Sequence, residues 1–257
     1  MKKKKIAIFI VAYDAVNTLA QVIDRIPRSL KKKVEEIYVF DDYSNDDTYL
    51  LGVGYKQTHN MHNLNVYKNT KNLGYGGNQK KGYEYAIKKG YDIVVMLHGD
   101  AQYAPEKIPD LLPLLEKDKA DMVFGSRMTE HPIKGGMPLW RYAGNKILTW
   151  IENKALGLNL SEFHSGFRAY SCKALKKIQL NNCGDDYHFD TDILIQFKLA
   201  GMRIRETPIP THYGKESHRI GVWRSIEYGL NILKALWEFK LHVWGIKKRK
   251  KFIIDKK

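Results

Sequence analysis

Apolar and polar positions along this chain follow two different periods. Short runs of branched and aromatic residues, Ile6 to Tyr13, Glu36 to Asp42, Asn65 to Lys68, Asp92 to Leu97 and Asp121 to Gly125, read as strands. Between them, stretches such as Gly77 to Lys89 and Pro105 to Lys117 repeat their apolar residues at threes and fours, as helices do. The alternation predicts an α/β fold: a mostly parallel sheet flanked by helices on both faces. The unbroken apolar run Ile6-Ala-Ile-Phe-Ile-Val11 fits a strand covered on both sides. After Arg127 the pattern loosens into a helix over Leu139 to Leu156, a loop-rich stretch to His188, a helix over Thr191 to Leu199 and a strand over Arg203 to Ile209.

The last segment changes character. From Trp223 to Trp244, Arg224, Glu227, Asn231, Lys234, Glu238 and His242 recur at threes and fours, opposite a stripe of Ile226, Leu230, Leu233, Trp237, Leu241 and Trp244. That is a C-terminal amphipathic helix with too many charges to span a bilayer. With the basic tail Lys247 to Lys251 behind it, the segment suits a helix lying on an anionic membrane surface. Packing on the protein's own core, or across a homo-oligomer interface, suits the same pattern. No linker precedes Ser217, so the expected division is a catalytic domain over 1–218 and this basic segment over 219–257.

Composition narrows the partners. The chain of 257 residues carries 43 Lys and Arg against 28 Asp and Glu, a net charge of +15, which favours an anionic partner such as a nucleotide or an acidic lipid surface. Its basic residues gather at both ends and between motifs without forming an aromatic platform, so nucleic acid is not the expected partner. Cys172 and Cys183 form no metal or redox motif and suit a reducing compartment. The N-terminus, Lys2 to Lys5 before a short apolar run soon interrupted by Asp14, reads as a first strand without an export signal. The expected location is therefore cytoplasmic, peripheral on the membrane.

Candidate chemistry sits at the ends of the strands, where open α/β sheets bind ligands. His98-Gly-Asp-Ala-Gln102 follows the fourth strand, and Asp100 and Gln102, two apart, point to one side of an extended chain and can converge with His98 on a divalent ion. Val11-Ala-Tyr-Asp14 ends the first strand, and Asp41-Asp-Tyr-Ser-Asn-Asp-Asp-Thr48 ends the second. Those carboxylates can hold ribose hydroxyls or a base edge, while Ser44 or Asn45 can cap the helix that follows. Asn72-Leu-Gly-Tyr-Gly-Gly-Asn78 is a glycine-rich loop opening a helix, able to bring backbone N–H groups to an anion or simply to turn tightly.

These pieces, in order with Asn78 and Gly82, Gly125-Ser-Arg127 and Ser165-Gly-Phe-Arg-Ala-Tyr170, resemble glycosyltransferase family 2. More narrowly they resemble its dolichyl-phosphate mannose synthase and polyprenyl-phosphate glycosyltransferase branch, over about Lys5 to His218. The resemblance implies a GT-A (Rossmann-like) fold and an inverting transfer from a nucleotide-diphosphate sugar, UDP or GDP, with Mg²⁺ or Mn²⁺. It implies a lipid-phosphate acceptor, or alternatively a hydroxyl acceptor in polysaccharide synthesis; a silent nucleotide-sugar binder is a third reading. It implies nucleotide binding around Ala12, Tyr13, Asp14, Asp41, Asp42, Asn72, Gly74, Asn78, His98 and Gly99, with Asp42 on base and ribose. Asp100 becomes the central catalytic and metal residue, with Gln102. His98 departs from the family's Asp-x-Asp-x-Gln, standing where the first carboxylate belongs, and serves either the ion or a phosphate or ribose.

On the acceptor side the resemblance implies phosphate binding by Arg127 and Arg141, with Ser165 and Arg168 in the following motif; paired guanidiniums suit a phosphate monoester. His164 is a second departure, at a place where relatives often carry an acidic residue. Asp190 and Asp192 open a helix near the expected acceptor, either as general base, Asp192 foremost, or as a clamp for an arginine. Tyr213-Gly-Lys-Glu-Ser-His218 resembles a basic loop that closes on diphosphate through Lys215, with His218 replacing the usual lysine.

Overall fold

The structure, a computed structural model, describes residues 3–210 and 221–254. Its strands are β1 (Ile6–Ala12), β2 (Glu36–Asp41), β3 (Leu64–Lys68), β4 (Ile93–His98), β5 (Met122–Ser126), β6 (Arg168–Ser171) and β7 (Ile204–Pro208). They form one sheet in the order β3-β2-β1-β4-β6-β5-β7. All neighbours run parallel except β6, which lies antiparallel to both β4 and β5. The helices are α1 (Leu19–Arg25), α2 (Arg28–Lys33), α3 (Thr48–Thr58), α4 (Gly74–Lys89), α5 (Ile108–Glu116), α6 (Leu139–Leu156), α7 (Cys172–Leu175), α8 (Phe189–Leu199) and α9 (Val222–Val243).

Strand alternation feeds two cores. Ala7, Phe9 and Val11 of β1 point into a cluster with Tyr38, Tyr83, Phe189 and Phe239. Ile6, Ile8 and Ile10 point the other way, to Leu19, Ile23, Ile108 and Leu112. Every residue of β1 is buried, which is why the run carries no polar alternation. On the first face α4 comes close enough to β1 that a Cβ built on Gly82 would sit 2.1 Å from the Phe9 ring, so that position excludes a side chain.

The loop-rich stretch expected before His188 contains β6, which is inserted between β4 and β5. Its signal is weak because the strand is four residues long and begins with an arginine. The expected helix over Pro105 to Lys117 divides into a 3-10 turn at Pro105–Lys107 and α5, with Pro113 inside the helix. The C-terminal segment joins the main core through Ile232, Ala235, Leu236, Phe239 and Phe252. Among the described residues, no helix is long and apolar enough to cross a membrane.

Candidate active site

A cavity of about 1220 Å³ opens at the carboxyl ends of the parallel strands. One wall is built from strand ends, Ala12, Tyr13 and Asp14 after β1, Asp42 after β2 and His98, Gly99, Asp100 and Gln102 after β4, with Asn72, Gly74 and Asn78 alongside. The lining also includes Arg127 after β5, Arg141 on α6, Asp190 on α8 and Arg224 on α9.

Asp42 is aimed by its neighbours. Its Oδ1 accepts from Asn69 Nδ2 at 2.8 Å and from the Leu73 backbone at 2.9 Å, while Asn69 also donates to Asn78 Oδ1 at 3.1 Å. Asp41, by contrast, is fully buried, accepts from the Ser44 backbone at 3.2 Å and from the Ser44 hydroxyl, and does not line the cavity. Burial raises its pKa above the usual carboxylate range. The expectation of nucleotide contact at Asp41 is therefore corrected: adjacent strand residues point to opposite faces, and only Asp42 faces the ligand side. The helix start is held by Asp46, whose Oδ1 accepts from the Thr48 backbone at 3.0 Å, instead of by Ser44 or Asn45.

The glycine-rich loop serves packing. Gly76 and Gly77 donate their N–H groups to the Asp185 carbonyl at 2.6 and 3.3 Å, and Gly74 donates to Asn72 Oδ1 at 2.9 Å. Those amides are occupied, so this loop offers no anion cradle. Small residues are needed because a Cβ on Gly76 would lie 2.6 Å from the Gly184 carbonyl.

At the end of β4, Gln102 N–H donates to Asp100 Oδ1 at 3.1 Å, and Ala101 takes a left-handed φ of 58° in the tight turn between them. His98 belongs to a buried relay. Tyr75 Oη donates to Asp190 Oδ2 at 2.9 Å and lies 3.2 Å from His98 Nε2. A hydroxyl has one proton, and burial together with Asp190 pushes the Tyr75 pKa well up, so it keeps that proton. Nε2 must then be the donating nitrogen, which leaves the lone pair on Nδ1. Burial lowers the His98 pKa, so the ring is neutral near neutral pH. Gly166 makes room for it, since a Cβ there would meet Nε2 at 2.3 Å.

Arg127 is 6% exposed and locked by Glu162, which accepts from its backbone N–H and its Nε, both at 2.8 Å, and from its Nη2. Nη2 also reaches the His164 carbonyl at 3.1 Å. The carboxylate on this segment is thus Glu162, two residues before His164. His164 instead lies with Nε2 2.8 Å from Glu152 on α6. Arg141 stacks on Trp140 with its guanidinium 5.2 Å from the ring.

Three expected site residues turn away from the cavity. Arg168 is buried and donates to the carbonyls of Phe163, Ser165 and Asp190 at 2.9, 2.7 and 3.1 Å, beside the Asp190 carboxylate at 3.2 Å. It brackets the loop onto α8 and does not line the cavity. Ser165 is fully buried, its hydroxyl 3.4 Å from the Phe167 amide. Asp192 is fully buried on the far side of α8, 2.9 Å from Lys251 and accepting from Gly184 N–H at 3.1 Å. One residue of α8 is a rotation of about 100°, so Asp190 and Asp192 stand about 200° apart and only Asp190 faces the cavity. Lys215 and His218 lie outside the described residues. Sequence reasoning missed Tyr75, Glu162 and Arg224. The charges of Glu162 and Arg224 were visible, but their partners were not.

A parallel sheet interrupted by one reversed strand, with a cavity at the strand ends lined by Asp42, Asp100 and three arginines, is the architecture of a GT-A glycosyltransferase. The profile of glycosyl transferase family 2 matches residues 7–179, and the chain belongs to that family. It is 30% identical over 199 residues, 75% of each chain, to the undecaprenyl-phosphate mannosyltransferase of Micrococcus luteus. Over 251 residues, 94% of this chain and 98% of the relative, it is 29% identical to the UDP-N-acetylglucosamine–dolichyl-phosphate N-acetylglucosaminyltransferase of Methanococcus voltae. Among solved structures it superposes on glucosyl-3-phosphoglycerate synthase from Mycobacterium tuberculosis, in complex with Mn²⁺, UDP and phosphoglyceric acid, with a TM-score of 0.68 at 18% identity, covering 92% of this chain and 78% of that one.

Proposed function

We propose that this glycosyltransferase moves one sugar from a UDP- or GDP-sugar to a polyprenyl phosphate or closely related lipid phosphate at a membrane surface, inverting the anomeric centre. The observation that carries the reading is that one cavity is lined both by Asp42 and Asp100 and by Arg127, Arg141 and Arg224. The names of the two curated relatives support a lipid-phosphate acceptor. An acceptor phosphate oxygen attacks the anomeric carbon, the bond from that carbon to the donor diphosphate breaks, and the nucleoside diphosphate leaves. Arg127, held rigid by Glu162, orients the acceptor phosphate; such a phosphate is already largely ionised and needs little help from a base.

Mg²⁺ or Mn²⁺ fits the donor wall. Asp100 makes one bond among the described residues, to the Gln102 backbone, and His98 keeps a lone pair on Nδ1. Among the described residues no cluster of three His, Cys, Asp or Glu side chains holds an ion unaided. A single carboxylate suits a cation that would take its remaining ligands from water and diphosphate. Once bound, it would stabilise the charge that develops on the leaving diphosphate.

Transfer to a hydroxyl acceptor is the second reading, favoured by Asp190, a carboxylate on the cavity wall. Incubation with radiolabelled UDP- and GDP-sugars, a divalent cation, and either a short-chain polyprenyl phosphate or the corresponding polyprenol separates the two. Label on the phosphate alone supports the first reading; label on the alcohol overturns it.

A further inference from the structure

Asp42 reaches the cavity with one of its two oxygens already occupied. Oδ1 accepts from Asn69 Nδ2 at 2.8 Å and from the Leu73 N–H at 2.9 Å, and two donors fill the lone pairs of a carboxylate oxygen. Oδ2 makes no hydrogen bond among the described residues, and Asp42 lines the cavity while only 4% exposed. The Asn69 amide cannot turn round. Lys81 Nζ, which can only donate, meets its Oδ1 at 2.6 Å. On the other side its Nδ2 donates to Asn78 Oδ1 at 3.1 Å, and Asn78 is itself oriented because its Nδ2 donates to the Phe40 carbonyl at 2.9 Å. Both side-chain polar atoms of Asn69 are thus matched in a buried place, and its N–H is fixed on Asp42.

β2 and β4 both border β1, so Asp42 and Asp100 stand two strand spacings apart, about 10 Å, which matches the reach of a nucleoside from the edge of its base to its diphosphate. Tyr13, after the strand between them, brings a half-exposed ring to the same cavity. With the diphosphate at Asp100, Asp42 meets the base. We propose that Asn69 fixes which base the donor carries: by filling Asp42 Oδ1 it leaves one acceptor, suited to the single N3–H of uracil and not to guanine. Guanine presents N1–H and its 2-amino group side by side, two donors that a carboxylate takes with two oxygens. Here one of them would stay unpaired in a buried site, which weakens binding. Cytosine turns a bare N3 lone pair to the carboxylate and is repelled. Asn69 does not line the cavity, so it is a positioning residue that acts through Asp42. The proposal rests on the nucleotide-sugar reading and narrows the choice between UDP and GDP to UDP.

Calorimetric titration of the full chain with UDP, CDP and GDP in the presence of Mn²⁺ tests this without any acceptor. UDP should bind about tenfold or more tightly than either of the others. Asn69→Ala, which frees Oδ1, and Lys81→Met, which removes the donor that holds the amide, should each shrink the ratio of UDP to GDP affinity by about threefold or more. Lys81 is only partly buried, so its variant keeps the test standing if Asn69→Ala does not fold. A merely structural loss would weaken all three nucleotides alike and leave the ratio unmoved. GDP bound as tightly as UDP by the wild type overturns the proposal, as does a ratio that neither variant moves or failure of all three to bind. Equal binding of UDP and CDP overturns it too, since Asp42 would then be reading the ribose. UDP-selective binding without sugar transfer to any lipid phosphate would sink the proposed reaction and leave the base assignment standing; GDP-selective binding with such transfer would do the reverse.

Discussion

Lys251 Nζ lies 2.9 Å from Asp192 Oδ1 and 3.1 Å from Glu238 Oε2, tying the end of the chain to α8 and α9 in one buried knot. Removing one partner of such a pair strands a charge in the interior and costs about 3–5 kcal/mol. Asp192→Asn and Lys251→Met should each lower unfolding free energy by roughly 3 kcal/mol in denaturant titrations. Turnover of the folded fraction should stay within about threefold of wild type, because neither group lines the cavity. A loss of turnover without a loss of stability would return Asp192 to the chemistry.

Arg127 has its reach set by Glu162. In Glu162→Gln the guanidinium loses its charged anchor, and in Arg127→Lys the planar fork is lost. Both variants should raise KM for a lipid-phosphate acceptor about tenfold or more and leave KM for the donor nearly unchanged. Initial rates measured over a grid of both substrates give the two constants separately.

Asp100 is the carboxylate through which the donor wall can hold a cation. Asp100→Asn should reduce kcat about a hundredfold or more and abolish the rise of activity with added Mn²⁺. Thermal shift with nucleoside diphosphate should then become independent of the metal. Unchanged metal activation in this variant would remove the ion from Asp100.

His98 ties stability to pH. Burial lowers its pKa below the value of the unfolded chain, so on acidification the unfolded state takes up the proton first and stability falls. Its contribution is whole above the unfolded value, about 6.5, and is lost as pH falls through the folded value. His98→Gln should flatten that part of the stability–pH curve measured by chemical denaturation, and an unchanged slope would show that the ring titrates normally.

The strand ends were legible because parallel strands announce themselves as apolar runs and the residues after them face the ligand side. Asp100 and the carboxylates after β2 follow from that rule, while the choice of Asp42 and the part given to Arg127 came from the family resemblance; all three residues line the cavity. Arg168 and Asp192 misled because a sequence shows a charge and hides its partner; the partner of Asp192 lies 59 residues away, in the basic tail. The composition of the glycine-rich loop suited an anion cradle and a tight turn equally, and the carbonyl of residue 185, which takes the Gly76 and Gly77 amides, decides for the turn. The polar–apolar pattern of α9 was easy to see, but it could not say which apolar stripe meets the core. Two stripes exist, and the one read from the sequence remains largely outside.

β6 is hydrogen-bonded on both edges, and the loop that leads into it carries Glu162, His164 and the Arg168 bracket. Shifting that loop would open the middle of the sheet, so the anchor beneath Arg127 is among the least adjustable parts of the molecule. The rim helices α6 and α9 are held to the rest through one face each. Substitutions on the outer faces of those helices can therefore accumulate without disturbing Arg127, the proposed seat of the acceptor phosphate.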